Sequence, residues 1–230
     1  MAAGNSVLDE IREEHKKMKG RPFKEKFSYY WGYYRVPALV AILVLFFVGN
    51  LIYTIATAKD TALSVMMINS YTDMDTESYM AGFNEYAQID TKHYTTTLDA
   101  NFSLSKDSTD PYTVANIQKF AAMVAAQELD IIMAEPKTFA EYAEGGYMLN
   151  LNDVLPADKL AAWEDRFIYY DISDDEVNGQ VPVGIRVTDV PLLQESGAYS
   201  YQDDAYLGVV VNSARLDNVL AFLEYLEIPE

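Results

Sequence analysis

The 230-residue chain has no cysteine. That removes disulfide bridges, thiolate nucleophiles, Cys-based zinc sites and any lipid anchor carried on a lipobox cysteine. Its two histidines are too few for a His-rich metal centre, and no G-x-S-x-G, H-E-x-x-H or P-loop pattern occurs. Basic side chains are scarce: 17 Lys and Arg face 35 Asp and Glu, for a formal charge of −18 and an isoelectric point near 4.3. Such a chain repels phosphate backbones, so no nucleic-acid partner is expected. What remains is half apolar, with 13% aromatic residues that include 18 tyrosines, a composition that argues against disorder. The length suits one domain and an appendage.

Residues 36–56 (VPALVAILVLFFVGNLIYTIA) carry no charge, and their only polar members are Asn50, Tyr53 and Thr54. A helix of that length rises about 1.5 Å per residue and covers roughly the 30 Å hydrocarbon thickness of a bilayer. Soluble cores rarely need so long an apolar run, so the expectation is a transmembrane helix. Residues 1–35 hold eight Lys or Arg against five acids, whereas residues 57–230 hold nine against thirty. Positive flanks stay in the cytoplasm. The expected arrangement is therefore single-pass in the cell membrane: a cytoplasmic segment over 1–35, the bilayer as partner of 36–56, a linker over 57–60, and an extracellular acidic domain over 61–230. Tyr29, Tyr30, Trp31, Tyr33 and Tyr34, with Arg35 beside them, fit an aromatic belt at the inner headgroup level.

Ala56-Thr57-Ala58 has the small-x-small form of a signal-peptidase site, with cleavage then following Ala58. The apolar run and its 35-residue leader both exceed those of a signal peptide, which favours a retained anchor. Both readings place the acidic domain outside the cytoplasm. Within the leader, Ser6 and Asp9 are spaced to cap a helix, and Val7, Leu8, Ile11, His15 and Met18 fall on one stripe of it.

Beyond residue 60 strand and helix patterns alternate. Residues 62–68 (ALSVMMI) and 129–134 (LDIIMA) are short apolar runs of the kind that form strands buried on both faces. Tyr94 to Leu104 alternates like a strand. Helical spacing recurs around Met74–Tyr86, after Asp110-Pro111, after Glu135-Pro136 up to Gly145-Gly146, around Asp158–Asp165, and from Asn212-Ser213 to Leu226. Asn178-Gly179 is the strongest hairpin turn, between 167–170 and 181–187, and residues 206–211 (YLGVVV) read as a last buried strand. The expected fold is α/β: an open, mostly parallel sheet with helices on both faces, preceded by one transmembrane helix.

Three stretches, ELDIIMAEPKTFAEYAEGGYMLNLNDVLP (128–156), VNGQVPVGIRV (177–187) and GVVVNSARLDNVLAFLEYL (208–226), resemble one lobe of the extracellular solute-binding proteins of ABC importers. The anchor region KEKFSYYWGYYRVPALVAILV (24–44) is similar to that of uncharacterised single-pass proteins of Gram-positive bacteria. The resemblance covers most of 61–226 and its motifs are structural rather than chemical. It implies a lobe-like fold and an ABC-type permease as a neighbour. The chain departs from that pattern in having one domain's length where the family has two lobes, and a membrane helix where Gram-positive members carry a lipidated Cys. The first departure weakens ligand capture, which in that family closes two lobes around the solute.

Reactive constellations are thin. Ser103-Leu104-Ser105-Lys106 matches S-x-x-K, but S-D-N and K-T-G are missing. Asp73, Asp75 and Glu77 are spaced like the start of a calcium loop without its Gly and distal Glu, and read more simply as first-turn acids. Asp171, Asp174, Asp175, Glu176, Asp203 and Asp204 read as solvated loop charge, with weak calcium binding left open. No catalytic residue, metal site or cofactor is assigned. In open α/β sheets, ligands sit beyond the carboxyl ends of the strands. That rule selects Asn69, Ser70 and Tyr71 after the first strand, Glu135 and Phe139 after the third, and Asp189 after the hairpin. Asn69 and Asp189 read more simply as turn and cap residues, and Phe139 as core. The expected function is a non-catalytic interaction or accessory module at the cell surface, beside an ABC-type permease or another surface protein. The alternative is capture of a sugar or peptide, by the single lobe or by a homodimer.

Overall fold

The structure, a computed structural model, describes residues 13, 16, 20, 22–104, 111–171 and 179–229, without the side chains of 25, 26, 28–30 and 32–34. It divides into two units, Met1–Ala58 and Lys59–Glu230. The helix expected over 6–19, the acids at 174–176, Asn178, and Ser105-Lys106 lie wholly or mainly outside the described residues.

In the first unit, α1 (Phe23–Thr57) runs for 35 residues, roughly 50 Å at 1.5 Å per residue. Its stretch Arg35–Thr57 has a mean hydropathy of 2.5, and none of its residues is buried within the protein. By length and composition this helix can cross a membrane. Trp31 is exposed and stacks on Phe27, one turn away, with ring centroids 5.9 Å apart. The side chains of Tyr29, Tyr30, Tyr33 and Tyr34 lie outside the described atoms.

The second unit is built on six strands: β1 (Asp60–Ile68), β2 (Tyr94–Phe102), β3 (Ile131–Ala134), β4 (Phe167–Asp171), β5 (Gln180–Arg186) and β6 (Tyr206–Val209). Their order across the sheet is β2-β1-β3-β6-β5-β4. β1 pairs parallel with β2 and with β3 (Val65 opposite Ile131), while β6 runs antiparallel to both β3 (Ile131 opposite Val209) and β5, and β4 antiparallel to β5. The sheet is therefore mixed, with parallel pairing confined to one half. This corrects the expectation of a mostly parallel sheet, and the reason is physical. A strand covered on both faces is apolar throughout whichever way it runs, so YLGV in β6 carries no mark of its direction.

Helices α2 (Thr76–Tyr86), α3 (Pro111–Ala125), α4 (Pro136–Glu144), α5 (Ala157–Ala162) and α6 (Pro191–Ser196) lie in the connections between strands, and α7 (Leu216–Tyr225) follows β6. The alternating side chains of each strand feed two cores. On one face Leu63, Val65 and Met67 of β1 meet Phe83 of α2, Leu192 of α6 and Phe222 of α7. On the other, Met66 and Ile68 meet Phe120 of α3 and Phe139 of α4. Helices thus cover both faces, as expected. The short α6 has no counterpart in the sequence reading.

Phe139 is fully buried because two glycines make room for it. A Cβ on Gly184 would lie 2.5 Å from its Cζ, and one on Gly208 would lie 2.5 Å from Met148 Sδ and 2.8 Å from Phe139 Cε2. At the amino ends of the strands, the fully buried Asp130 just before β3 ties three segments together. It accepts from the Ser64 backbone N–H (2.8 Å), from Ser213 Oγ (2.6 Å) and from Arg215 Nε (2.9 and 3.0 Å).

Candidate functional site

Strands β1, β2, β3 and β5 point the same way, so their carboxyl ends share one edge of the sheet; antiparallel β6 brings its amino end, and the loop 197–205 before it, to that edge. Asn69, the first residue after β1, is the hub of this edge. It holds a left-handed backbone (φ 55°), a conformation that asparagine tolerates better than most residues. Its N–H donates to the Phe102 carbonyl at 2.8 Å, and its Oδ1 accepts from the Leu104 N–H at 2.8 Å. Its Nδ2 lies 3.3 Å from both Glu135 Oε1 and Thr138 Oγ1. The Tyr201 hydroxyl donates to its carbonyl. One amide side chain therefore joins the ends of β1 and β2 to the start of α4.

Glu135 occupies the N-cap position of α4 without capping it, since its side chain makes no bond to the helix amides. Its Oε1 instead accepts from Thr138 Oγ1 at 2.5 Å and from Asn69. Its Oε2 is buried with no hydrogen-bond partner among the described residues. Buried polar atoms are nearly always paired, and an unpaired one costs about 1–3 kcal/mol or more if charged. A second left-handed residue meets the same edge: Tyr199 (φ 62°), whose buried hydroxyl lies 2.8 Å from the carbonyls of both Ile68 and Met133. Strained non-glycine backbones of this kind concentrate at functional sites.

Asn69 and Glu135 border a cleft of about 710 Å³, within the range of small-molecule sites, roughly 300–1,000 Å³. Asn69, Glu135 and Thr138 line it together with Tyr142 and, at its rim, Tyr71 and Tyr201. Tyr71 and Tyr201 meet edge to face with centroids 5.0 Å apart, and Tyr71 is 72% exposed. Lys137 is the basic side chain among the cleft's described residues. A second, open groove of about 890 Å³ shares Tyr71 and carries Asp73, Asp75, Glu195 and Glu227. Burial pushes the Tyr142 hydroxyl up to about 12, with Glu141 and Tyr147 adding to the effect. Burial also raises Tyr201, helped by Glu135 and Tyr71, and raises Tyr199 well above its ordinary value. All three stay protonated near neutral pH.

Of the residues selected by the strand-end rule, Asn69, Tyr71 and Glu135 come together in the cleft. Ser70 is beside them, but its hydroxyl donates to the Ala100 carbonyl at 2.5 Å and holds the turn. Phe139 has no accessible surface and belongs to the core, so it offers nothing to a ligand. Asp189 is elsewhere, gripped by the Arg166 guanidinium at 2.7 and 2.9 Å, which holds its carboxyl below the usual range. Asp75 caps α2, accepting from the Ser78 N–H at 3.0 Å and Ser78 Oγ at 2.6 Å, and no cluster of three metal-ligating side chains occurs among the described residues. Ser103 Oγ lies 3.5 Å from Asn69 Oδ1. Thr138, Tyr142, Tyr199 and Tyr201 were not selected. The three-residue spacing from Glu135 to Thr138 was the one local signal; the loop tyrosines arrive through β6, whose direction the sequence conceals.

No protein-family profile, curated protein or solved structure matches the chain.

Proposed function

We propose that the chain is a single-pass membrane protein, amino terminus in the cytoplasm, whose acidic α/β domain stands outside the cell as a non-catalytic binding module. The excess of basic residues before α1 and of acids after it supports that orientation. The working surface is the cleft at the carboxyl ends of β1 and β3, and its occupant a small polar solute. One observation carries this: a concave site of ligand size lined by the partly buried Glu135, by Asn69 and Thr138, and by tyrosines. The resemblance to a solute-binding lobe points the same way. Thermal unfolding of the full-length protein in lipid nanodiscs, against cationic, neutral and anionic solutes, tests it. A saturable rise in Tm with one class is expected, because a ligand stabilises only the state it binds. A Tm indifferent to every class contradicts it.

A second reading, an accessory module docked on an ABC-type permease or another surface protein, is favoured by the open acidic groove beside the cleft and the exposed Tyr71. Tyrosine is enriched at protein interfaces. Copurification of one stoichiometric membrane partner that is lost on Tyr71→Ala would support that reading.

A further inference from the structure

We propose that α1 pairs with α1 of a second copy of this chain, Asn50 against Asn50, making the protein a parallel homodimer in the membrane; this rests on the single-pass reading above and goes beyond it. Residues 36–56 carry no charge, and Asn50 is the one amide side chain among them. It stands four residues past Phe46, the midpoint of the apolar stretch Arg35–Thr57. That puts it about 6 Å from the middle of a hydrocarbon layer whose half-thickness is about 15 Å. Water is absent at that depth, so its two N–H donors and its carbonyl oxygen need protein partners. The helix supplies none. Asn50 is exposed and makes no hydrogen bond among the described residues, whereas Thr57, at the helix end, returns its hydroxyl to the Tyr53 carbonyl at 2.7 Å.

The partner that fits is another α1. Among the described residues Arg35–Thr57 is the one stretch of helix long and apolar enough to span, so the missing donor and acceptor come from another molecule. Every copy inserts the same way round, because the same flanking charges orient it. Parallel copies therefore hold Asn50 at equal depth. A carboxamide is its own complement: across a two-fold axis each Asn50 donates an N–H to the other's Oδ1, and two bonds form together. A single polar side chain in an otherwise apolar seam fixes partner and register in this way. Residues 36–49 are apolar all round and do not distinguish one face from another, so Asn50 sets the seam. At about 100° per residue, Leu39, Leu43, Thr54 and Thr57 fall within about 40° of it, and Val48 about 160° away on the lipid side.

The test is oxidative cross-linking of the full-length protein in liposomes, for which the absence of native cysteine gives a clean background. Leu43→Cys is expected to yield a disulfide-linked dimer and Val48→Cys none. In the Leu43→Cys background, Asn50→Leu is expected to weaken pairing about three- to thirtyfold, read as the protein-to-lipid ratio at half-maximal cross-linking. Asn50→Gln keeps the amide and is expected to weaken it far less. Leucine suits a membrane helix, so lost cross-linking in Asn50→Leu does not come from failed insertion. Equal cross-linking at 43 and 48, or pairing indifferent to Asn50→Leu, overturns the proposal and leaves the single-pass reading standing. So does a different membrane protein, recovered in stoichiometric amount from native membranes and released by Asn50→Leu, because that partner would then cover Asn50. Extraction of the protein from membranes by alkaline carbonate overturns the single-pass reading and the pairing together.

Discussion

Replacing Asp130 by Ala removes the acceptor that three segments share, and its cost follows from the bonds it makes. The carboxylate has no accessible surface, and it holds the Ser64 N–H, the Ser213 hydroxyl and the Arg215 guanidinium at 2.6–3.0 Å. Breaking a buried ion pair from one side costs about 3–5 kcal/mol. Arg215 retains an 18% exposed side chain and a 2.6 Å bond to the Gln127 carbonyl, so its stranded charge is partly relieved. The Ser64 N–H gains no substitute, at about 1–3 kcal/mol, but the terms share one site and do not add in full. The expected loss is about 4 kcal/mol, equivalent to roughly 10 °C in Tm for a domain of this size. The chain has two tryptophans. In a Trp31→Phe background the buried Trp163 alone reports urea unfolding of the domain. Adding Arg215→Met to Asp130→Ala is expected to recover part of the loss, since the unpaired charge goes with it. A loss below about 1 kcal/mol, or a double variant worse than the sum of the two, refutes the reasoning.

Two further perturbations follow from the same structure. Gly208→Ala places a Cβ 2.5 Å from Met148 Sδ and 2.8 Å from the Phe139 ring; overpacking there is expected to cost about 1–3 kcal/mol by the same urea assay, and a neutral effect would mean Phe139 is not wedged as described. The Arg166–Asp189 pair lowers the folded pKa of Asp189. Its stabilisation is therefore present above the ordinary carboxyl value of about 3.9 and fades as pH falls through the lower folded value. With Asp189 53% exposed, the effect stays under about 1 kcal/mol. The gap in stability between wild type and Arg166→Gln is expected to be constant above about pH 5 and to close below pH 4; a gap that widens in acid contradicts the assignment.

Much of the fold was legible because burial writes directly into pattern. The runs at 62–68 and 129–134 became β1 and β3, Pro136 opened a helix, and the hairpin 167–170/181–187 became β4 and β5. What could not be read was direction and pairing at a distance. The polarity of β6 decides whether the sheet is mixed and which loop reaches the carboxyl edge, and nothing in YLGV records it. Asp130 lies in a run that reads simply as apolar, and its role was hidden because its partners Ser64 and Arg215 lie 66 and 85 residues away. The strand-end rule selected Asn69, Tyr71 and Glu135, which the fold brings to one cleft. It also selected Phe139, whose aromatic side chain is as suited to a core as to a ligand, and only the facing Gly184 and Gly208 decide between them.

Membrane orientation underlies the whole account, and the absence of cysteine allows it to be measured cleanly. Single cysteines placed by Lys16→Cys and Glu164→Cys, both exposed positions, can be challenged in intact cells with a membrane-impermeant maleimide. The account predicts labelling at 164 in intact cells and at 16 only after lysis. Labelling at 16 in intact cells, with 164 protected until lysis, would contradict it.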